Sequence, residues 1–179
     1  MNYKRFADDP WADLAEIQPL QAKFPDGRSE MLIIGAGCGG IQIAVCMIEA
    51  GIPAQDIRII DPAGGFSRTW YWNRFPGLMC DIESYSYLPF LEETGYVPKH
   101  RYSYGEEIRE YANLVARKWG LTDCAVFKTQ AKEIVWDDDA GEWIVQLIQH
   151  QKKDFQETES LESLGIRSKF VTISTGSLN

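Results

Sequence analysis

Met31-Leu-Ile-Ile-Gly35-Ala-Gly37-Cys-Gly-Gly40 decides the reading of this chain: an apolar run breaks into glycines and an apolar helical pattern resumes behind it. Gly35, Gly37 and Gly40 stand at G-x-G-x-x-G spacing. Between a strand and a helix, the first glycine permits the tight turn and the second lets a pyrophosphate approach the backbone. The third lets the helix lie close on the strand. The helix N-terminus then offers N–H groups and partial positive charge to the phosphates. A glycine triplet alone is weak evidence, so its flanks matter. The run before it predicts a strand over 30–34. After it, Ile41, Ala44, Val45 and Ile48 predict the buried stripe of a helix over 38–50, with Gly51 as its stop. Ile57-Arg-Ile-Ile60 predicts a second buried strand that ends in Asp61, 21 residues beyond Gly40. A ribose-binding carboxylate belongs there in a dinucleotide fold.

At 179 residues, 45% hydrophobic and 25% charged, the chain has the composition of a globular domain with a sizeable core. Its net charge of −8 and lack of any basic cluster argue against nucleic acid as a partner. The first ten residues lack the apolar centre of a secretory signal, and no run approaches the ~20 apolar residues of a transmembrane helix. Cys38, Cys46, Cys80 and Cys124 have neither disulfide-framework nor zinc spacing, so no metal site is expected. These features predict a soluble, cytoplasmic protein.

Along the chain, residues 8–24 predict a helical prelude capped by Asp8 or Asp9, so that 1–29 form an N-terminal extension to a domain over 30–179. Residues 62–102 carry little periodicity; an irregular stretch of that length is usually functional. Ser103-Tyr-Gly-Glu106 reads as a capping box opening a helix to about Trp119, with Ile108, Tyr111, Ala112 and Val115 turned inward. Strands are predicted over 125–128, 132–136 and 142–148, forming a small antiparallel meander with a turn at Asp137–Gly141 and Trp136 packed near Trp143. Residues 151–167 read as a polar surface excursion, and 170–174 as a last strand before Thr175-Gly176. The fold class predicted is α/β, Rossmann-like, with a mostly parallel sheet.

The irregular stretch contains Thr69-Trp-Tyr-Trp-Asn-Arg-Phe-Pro-Gly77 and Cys80-Asp-Ile-Glu-Ser84-Tyr-Ser-Tyr87. With the glycine fingerprint before it and Ser174-Thr-Gly176 after it, this resembles the N-terminal FAD-binding part of class B flavoprotein monooxygenases of the Baeyer–Villiger type. Leu91-Glu-Glu-Thr-Gly-Tyr96, Pro98-Lys-His100 and Glu107-Ile-Arg-Glu110 resemble the branch acting on large cyclic ketones. The resemblance runs from about residue 5 to 179. It implies FAD as cofactor, NADPH as reductant and a ketone or terpenoid-like substrate. It also implies that Gly35, Gly37 and Gly40 hold the pyrophosphate and Asp61 the adenosine ribose. Thr69, Trp70 and Trp72 would lie along the flavin. Asp81 and Tyr87 would lie near its ring on the nicotinamide-facing side, with Asp81 as the catalytic carboxylate.

Two departures stand out. Ser67-Arg68 occupies the place of the family's Gly-Gly, and replacing both by glycine is expected to raise FAD affinity. The family's NADP fingerprint, its histidine-centred signature and its catalytic arginine lie beyond Asn179. The chain alone is therefore expected to be catalytically incomplete, and to form a homo-oligomer or pair with a complementing chain. The alternative is a shortened protein without redox chemistry that uses the fold as a small-molecule-binding, isomerising or dimerising module.

Overall fold

A computed structural model of the chain describes residues 9–13, 15–152 and 159–176. Six strands form one sheet: β1 (Arg28–Ile34), β2 (Ile57–Asp61), β3 (Ala125–Phe127), β4 (Thr129–Asp137), β5 (Glu142–Lys152) and β6 (Glu159–Ile173), in the order β3-β2-β1-β6-β5-β4. The first four are parallel, with Ile33 beside Ile59 of β2 and Thr172 of β6. β5 and β4 continue the sheet antiparallel, with Val145 beside Ile166 and Trp136 beside Trp143. The expected α/β class and mostly parallel sheet are what the chain forms.

The pleat sends alternate residues of each strand to opposite faces, and β1 and β2 are covered on both, which is why they read as continuous apolar runs. Met31, Ile33, Ile57 and Ile59 meet helix α1 (Cys38–Glu49) and helix α2 (Gly105–Lys118) through Ile41, Ala44, Val45, Ile108, Tyr111 and Val115. Leu32 and Ile60 face the other way, into a second cluster with Val126, Val145, Leu147, Ile166, Leu20 and Phe24. Fully burying each such side chain contributes about 1.5–3 kcal/mol. The result is a sheet whose parallel half ends, at the C-terminal tips of β1 and β2, on the glycine turn and Asp61.

Several sequence expectations change. Among the described residues the predicted helix over 8–24 is confined to the single turn Leu20–Lys23; Pro10, Pro19 and Pro25 break the pattern, and Glu162 accepts the N–H groups of Leu20 (3.2 Å) and Gln21 (3.4 Å). Residues 1–8 lie outside the described residues. The antiparallel meander starts at Thr129, because Ala125–Phe127 pairs in parallel with β2. The polar stretch after 150 is largely strand: β5 runs to Lys152, and β6 pairs with it from Glu159 onward, while 153–158 lie outside the described residues. Polar residues conceal a strand when its ladder faces solvent.

The capping box is absent. Helix α2 takes Tyr104 as N-cap with no side-chain bond, while Ser103 Oγ lies 2.7 Å from Ser84 Oγ. The acid at work is one residue later. Glu107 is 6% exposed and accepts from the Lys99 N–H (2.7 Å) and the Tyr96 hydroxyl (2.8 Å), with His100 Nδ1 at 3.3 Å. Burial pushes its pKa up, but these donors outweigh burial and hold it below the usual glutamate range. A depressed folded pKa stabilises the fold above the unfolded value of about 4.3, and that contribution disappears as pH falls through the folded pKa. Glu107→Gln is therefore expected to lose roughly 1–3 kcal/mol at neutral pH and to flatten the acid limb of stability against pH. Urea titrations from neutral to acid pH would check both; an unchanged acid limb would remove Glu107 as its cause.

Candidate functional site

The turn between β1 and α1 is built by glycines with three different tasks. Gly35 has φ +118 and donates its N–H to the Ile60 carbonyl at 2.8 Å; a Cβ there would overlap the Ser174 carbonyl at the end of β6. A Cβ on Gly40 would overlap the Gly35 carbonyl. Both are demanded by the protein's own packing. Gly37 differs: a Cβ there would meet only the Arg68 Cβ, at an ordinary 3.7 Å. Gly37 is also the N-cap of α1 and supplies no side chain to its first N–H groups. An uncapped helix start whose first glycine has room for a Cβ without overlap fits a phosphate.

Asp61 ends β2 at this turn, fully buried. Its carboxylate accepts the Ala36 N–H on one oxygen and the Ala63 N–H on the other, both at 2.8 Å. Burial raises its pKa, and the two donors hold that rise back. The group therefore ties the glycine turn to the loop after β2. A ribose hydroxyl would reach it only if that rim opened.

Ser67 closes the loop back onto the turn by donating its N–H to the Ala36 carbonyl at 2.9 Å. It does so at φ +78, the left-handed conformation that glycine adopts without strain. Its Oγ is buried and has no hydrogen-bond partner among the described residues. Arg68 begins the short helix Arg68–Trp72 in right-handed geometry, so only the first of the two departures carries backbone strain.

That helix separates its aromatics. Trp70 is buried and donates Nε1–H to the Tyr87 hydroxyl at 2.8 Å, with the rings edge to face. Burial pushes the Tyr87 phenol up to about 12, and Tyr87 feels the Cys38 thiol at the glycine turn. The Cys38 thiol is likewise pushed up by burial, which keeps it protonated. Trp72 packs instead against Trp11 and Tyr71. Thr69 and Asp81 are exposed. The structure thus brings Gly35, Gly37, Gly40, Asp61, Trp70 and Tyr87 to one corner; Trp72 turns toward the N-terminal segment.

Three contributors escape a reading of the sequence. Asp9 accepts the Tyr71 hydroxyl (2.9 Å) and the Gly64 N–H (2.9 Å), clasping the N-terminal segment to the loop after β2. Arg74 lies over the rings of Trp11 and Tyr71, 4.5 and 4.8 Å from their centroids. Arg109 donates to the Trp70 carbonyl at 3.0 Å, holding the aromatic helix against α2. Each is a contact between distant segments, so no local pattern announces it. Among the described residues no cluster could hold a metal ion, and no helix is long and apolar enough to cross a membrane.

A strand–glycine turn–helix on a parallel sheet, with an acid closing the second strand, defines a dinucleotide-binding domain. No protein-family profile matches the chain. Individual proteins do. Polycyclic ketone monooxygenase of Thermothelomyces thermophilus is 40% identical over 178 residues, 98% of this chain and 27% of that protein. FAD-binding monooxygenase ausB of Emericella nidulans is 47% identical over 77% of this chain and 19% of its own length. The solved structure of the Thermothelomyces enzyme superposes with TM-score 0.86 at 41% identity, covering 97% of this chain and 27% of that one. Cyclohexanone monooxygenase from Rhodococcus sp. Phi1 bound to NADP+ gives 0.66 at 28% identity over 82% and 25%. By sequence and fold, the chain is homologous to a segment of the Baeyer–Villiger flavoprotein monooxygenases and spans about a quarter of the length of the relatives it matches.

Proposed function

We propose that residues 30–179 form the FAD-binding part of a monooxygenase that uses NADPH and O₂ to insert one oxygen atom into a ketone, the second leaving as water. The carrying observation is the division of labour at the glycine turn: a Cβ on Gly35 or Gly40 would overlap backbone, whereas Gly37, at an uncapped helix start, has room for one beside the Arg68 Cβ. In this reading Gly35–Gly40 seats the pyrophosphate, and Asp61 orders the turn beside the adenosine ribose. Trp70 and Tyr87, with Thr69 and Trp72, line the path of the flavin. Asp81 is the carboxylate on the nicotinamide side. FAD supplies the hydride acceptance and oxygen chemistry when bound; the residues here seat and orient it. The substrate class, NADPH use and ketone chemistry belong to this proposal for the longer protein.

The test is flavin fluorescence titrated with the purified polypeptide, alongside its melting temperature with and without FAD. Quenching with a rise in Tm supports the reading; neither effect at any FAD concentration refutes it. The same reading places the protein in the cytoplasm, in keeping with four free thiols. It also makes homo-association an expected behaviour, since Phe75, Tyr85, Val97, Phe170 and Ile173 are each more than half exposed. Light scattering over a tenfold concentration range checks this, and a constant monomer mass would overturn it.

A further inference from the structure

We propose that the Arg68 guanidinium is a direct ligand of the cofactor's pyrophosphate, a contact made by side-chain charge at a position where the family this chain resembles carries glycine. The inference rests on the FAD-binding reading above and concerns what holds the phosphates.

Placement comes first. Among the described residues, and apart from its own chain neighbours, only the Arg68 Cβ comes within 4 Å of where a Cβ on Gly37 would stand, at 3.7 Å. The Arg68 side chain therefore originates beside the one glycine of the fingerprint that has room for a Cβ. Conformation comes second. Ser67 carries the left-handed backbone at φ +78, so Arg68, in right-handed helical geometry, projects its side chain without strain. Charge comes third. Arg68 is only part-buried, and its charge acts on the buried Asp61 carboxylate, where it favours the ionised form. Asp61, the carboxylate that feels the Arg68 charge, already has each oxygen bonded by a backbone N–H, which leaves the Arg68 donors free for a phosphate. A dianionic pyrophosphate at the start of this 12-residue helix would meet both the helix's positive end and the Arg68 charge. The buried, unpartnered Ser67 Oγ is a further polar atom next to it in the chain. Arginine suits this task because its planar fork meets two phosphate oxygens at once.

The consequence is affinity that depends on salt and on the diphosphate rather than on the flavin ring alone. The experiment is a fluorescence titration of FAD at two ionic strengths, with ADP as competitor, for the unaltered chain, Arg68→Gln, Arg68→Lys and Ser67→Gly. The expected result is at least tenfold weaker FAD and ADP binding for Arg68→Gln, with a shallower salt dependence. Arg68→Lys should recover part of the loss, and Ser67→Gly should bind at least as tightly as the unaltered chain; replacing both Ser67 and Arg68 by glycine should then weaken FAD binding, the reverse of the expectation from the sequence. Melting temperatures confirm that each variant is folded. Equal or tighter binding by Arg68→Gln, with an unchanged salt dependence, overturns the role of Arg68 and leaves FAD binding standing. Failure of the unaltered chain to bind FAD overturns both.

Discussion

Gly40→Ala is expected to destabilise the chain by roughly 3 kcal/mol or more, whereas Gly37→Ala is expected to leave stability unchanged and abolish tight FAD binding. The new methyl at position 40 would overlap the Gly35 carbonyl. That is backbone against backbone, so neither side relaxes by a rotamer change, and the cost lies at or above the upper end of ordinary overpacking. At position 37 the methyl meets only the Arg68 Cβ at 3.7 Å, an ordinary contact, but it stands where a pyrophosphate must come close. In a domain of this size 3 kcal/mol corresponds to a Tm lowered by about 6–12 °C. Thermal melts and FAD titrations of the two variants separate the effects. A destabilised Gly37→Ala, or one that binds FAD normally, would show that this glycine serves the fold rather than a ligand.

Asp61→Ala is expected to lower stability by about 3 kcal/mol before any effect on nucleotide binding. Removing the carboxylate strands the buried N–H groups of Ala36 and Ala63, each left without an acceptor at roughly 1–3 kcal/mol. Asp61→Asn should be little better, because its amide nitrogen faces one of those donors with a donor of its own. Urea unfolding of both variants without nucleotide is the check. Native-like stability for the alanine variant would mean that the turn holds without this tie and that the carboxylate is free to serve a ribose.

These two expectations separate what was legible in the sequence from what was not. The glycine turn, both of its flanking strands and helix α1 follow from local pattern, since periods of two and 3.6 are written within a dozen residues. Trp70 and Tyr87 came from family resemblance, and the structure joins them by a hydrogen bond. The expected helix before β1, the capping box at Ser103 and the surface excursion after 150 were read from local composition. In each, a distant partner decides instead: Glu162 for the N-terminal turn, the Glu107 network for the loop before α2, and β5 for the polar first half of β6. Tertiary context overrode propensity there because the competing local preferences amount to only tenths of a kcal/mol per residue.

By itself, then, the sequence determined that a parallel α/β sheet begins at a phosphate-sized turn, because G-x-G-x-x-G between an apolar run and an amphipathic helix leaves the backbone few alternatives. It could not apportion the glycines among their tasks. Whether a missing Cβ serves the protein or a ligand depends on what stands opposite: the Ser174 carbonyl at Gly35, the Gly35 carbonyl at Gly40, and only an ordinary contact with the Arg68 Cβ at Gly37. Nor could it tell that Ser67, and not Arg68, bears left-handed strain in this loop, or that Asp61 spends both oxygens on the turn. Those facts arise where β1, β2, β6 and the loop after β2 converge, and only the folded chain brings them within hydrogen-bonding distance.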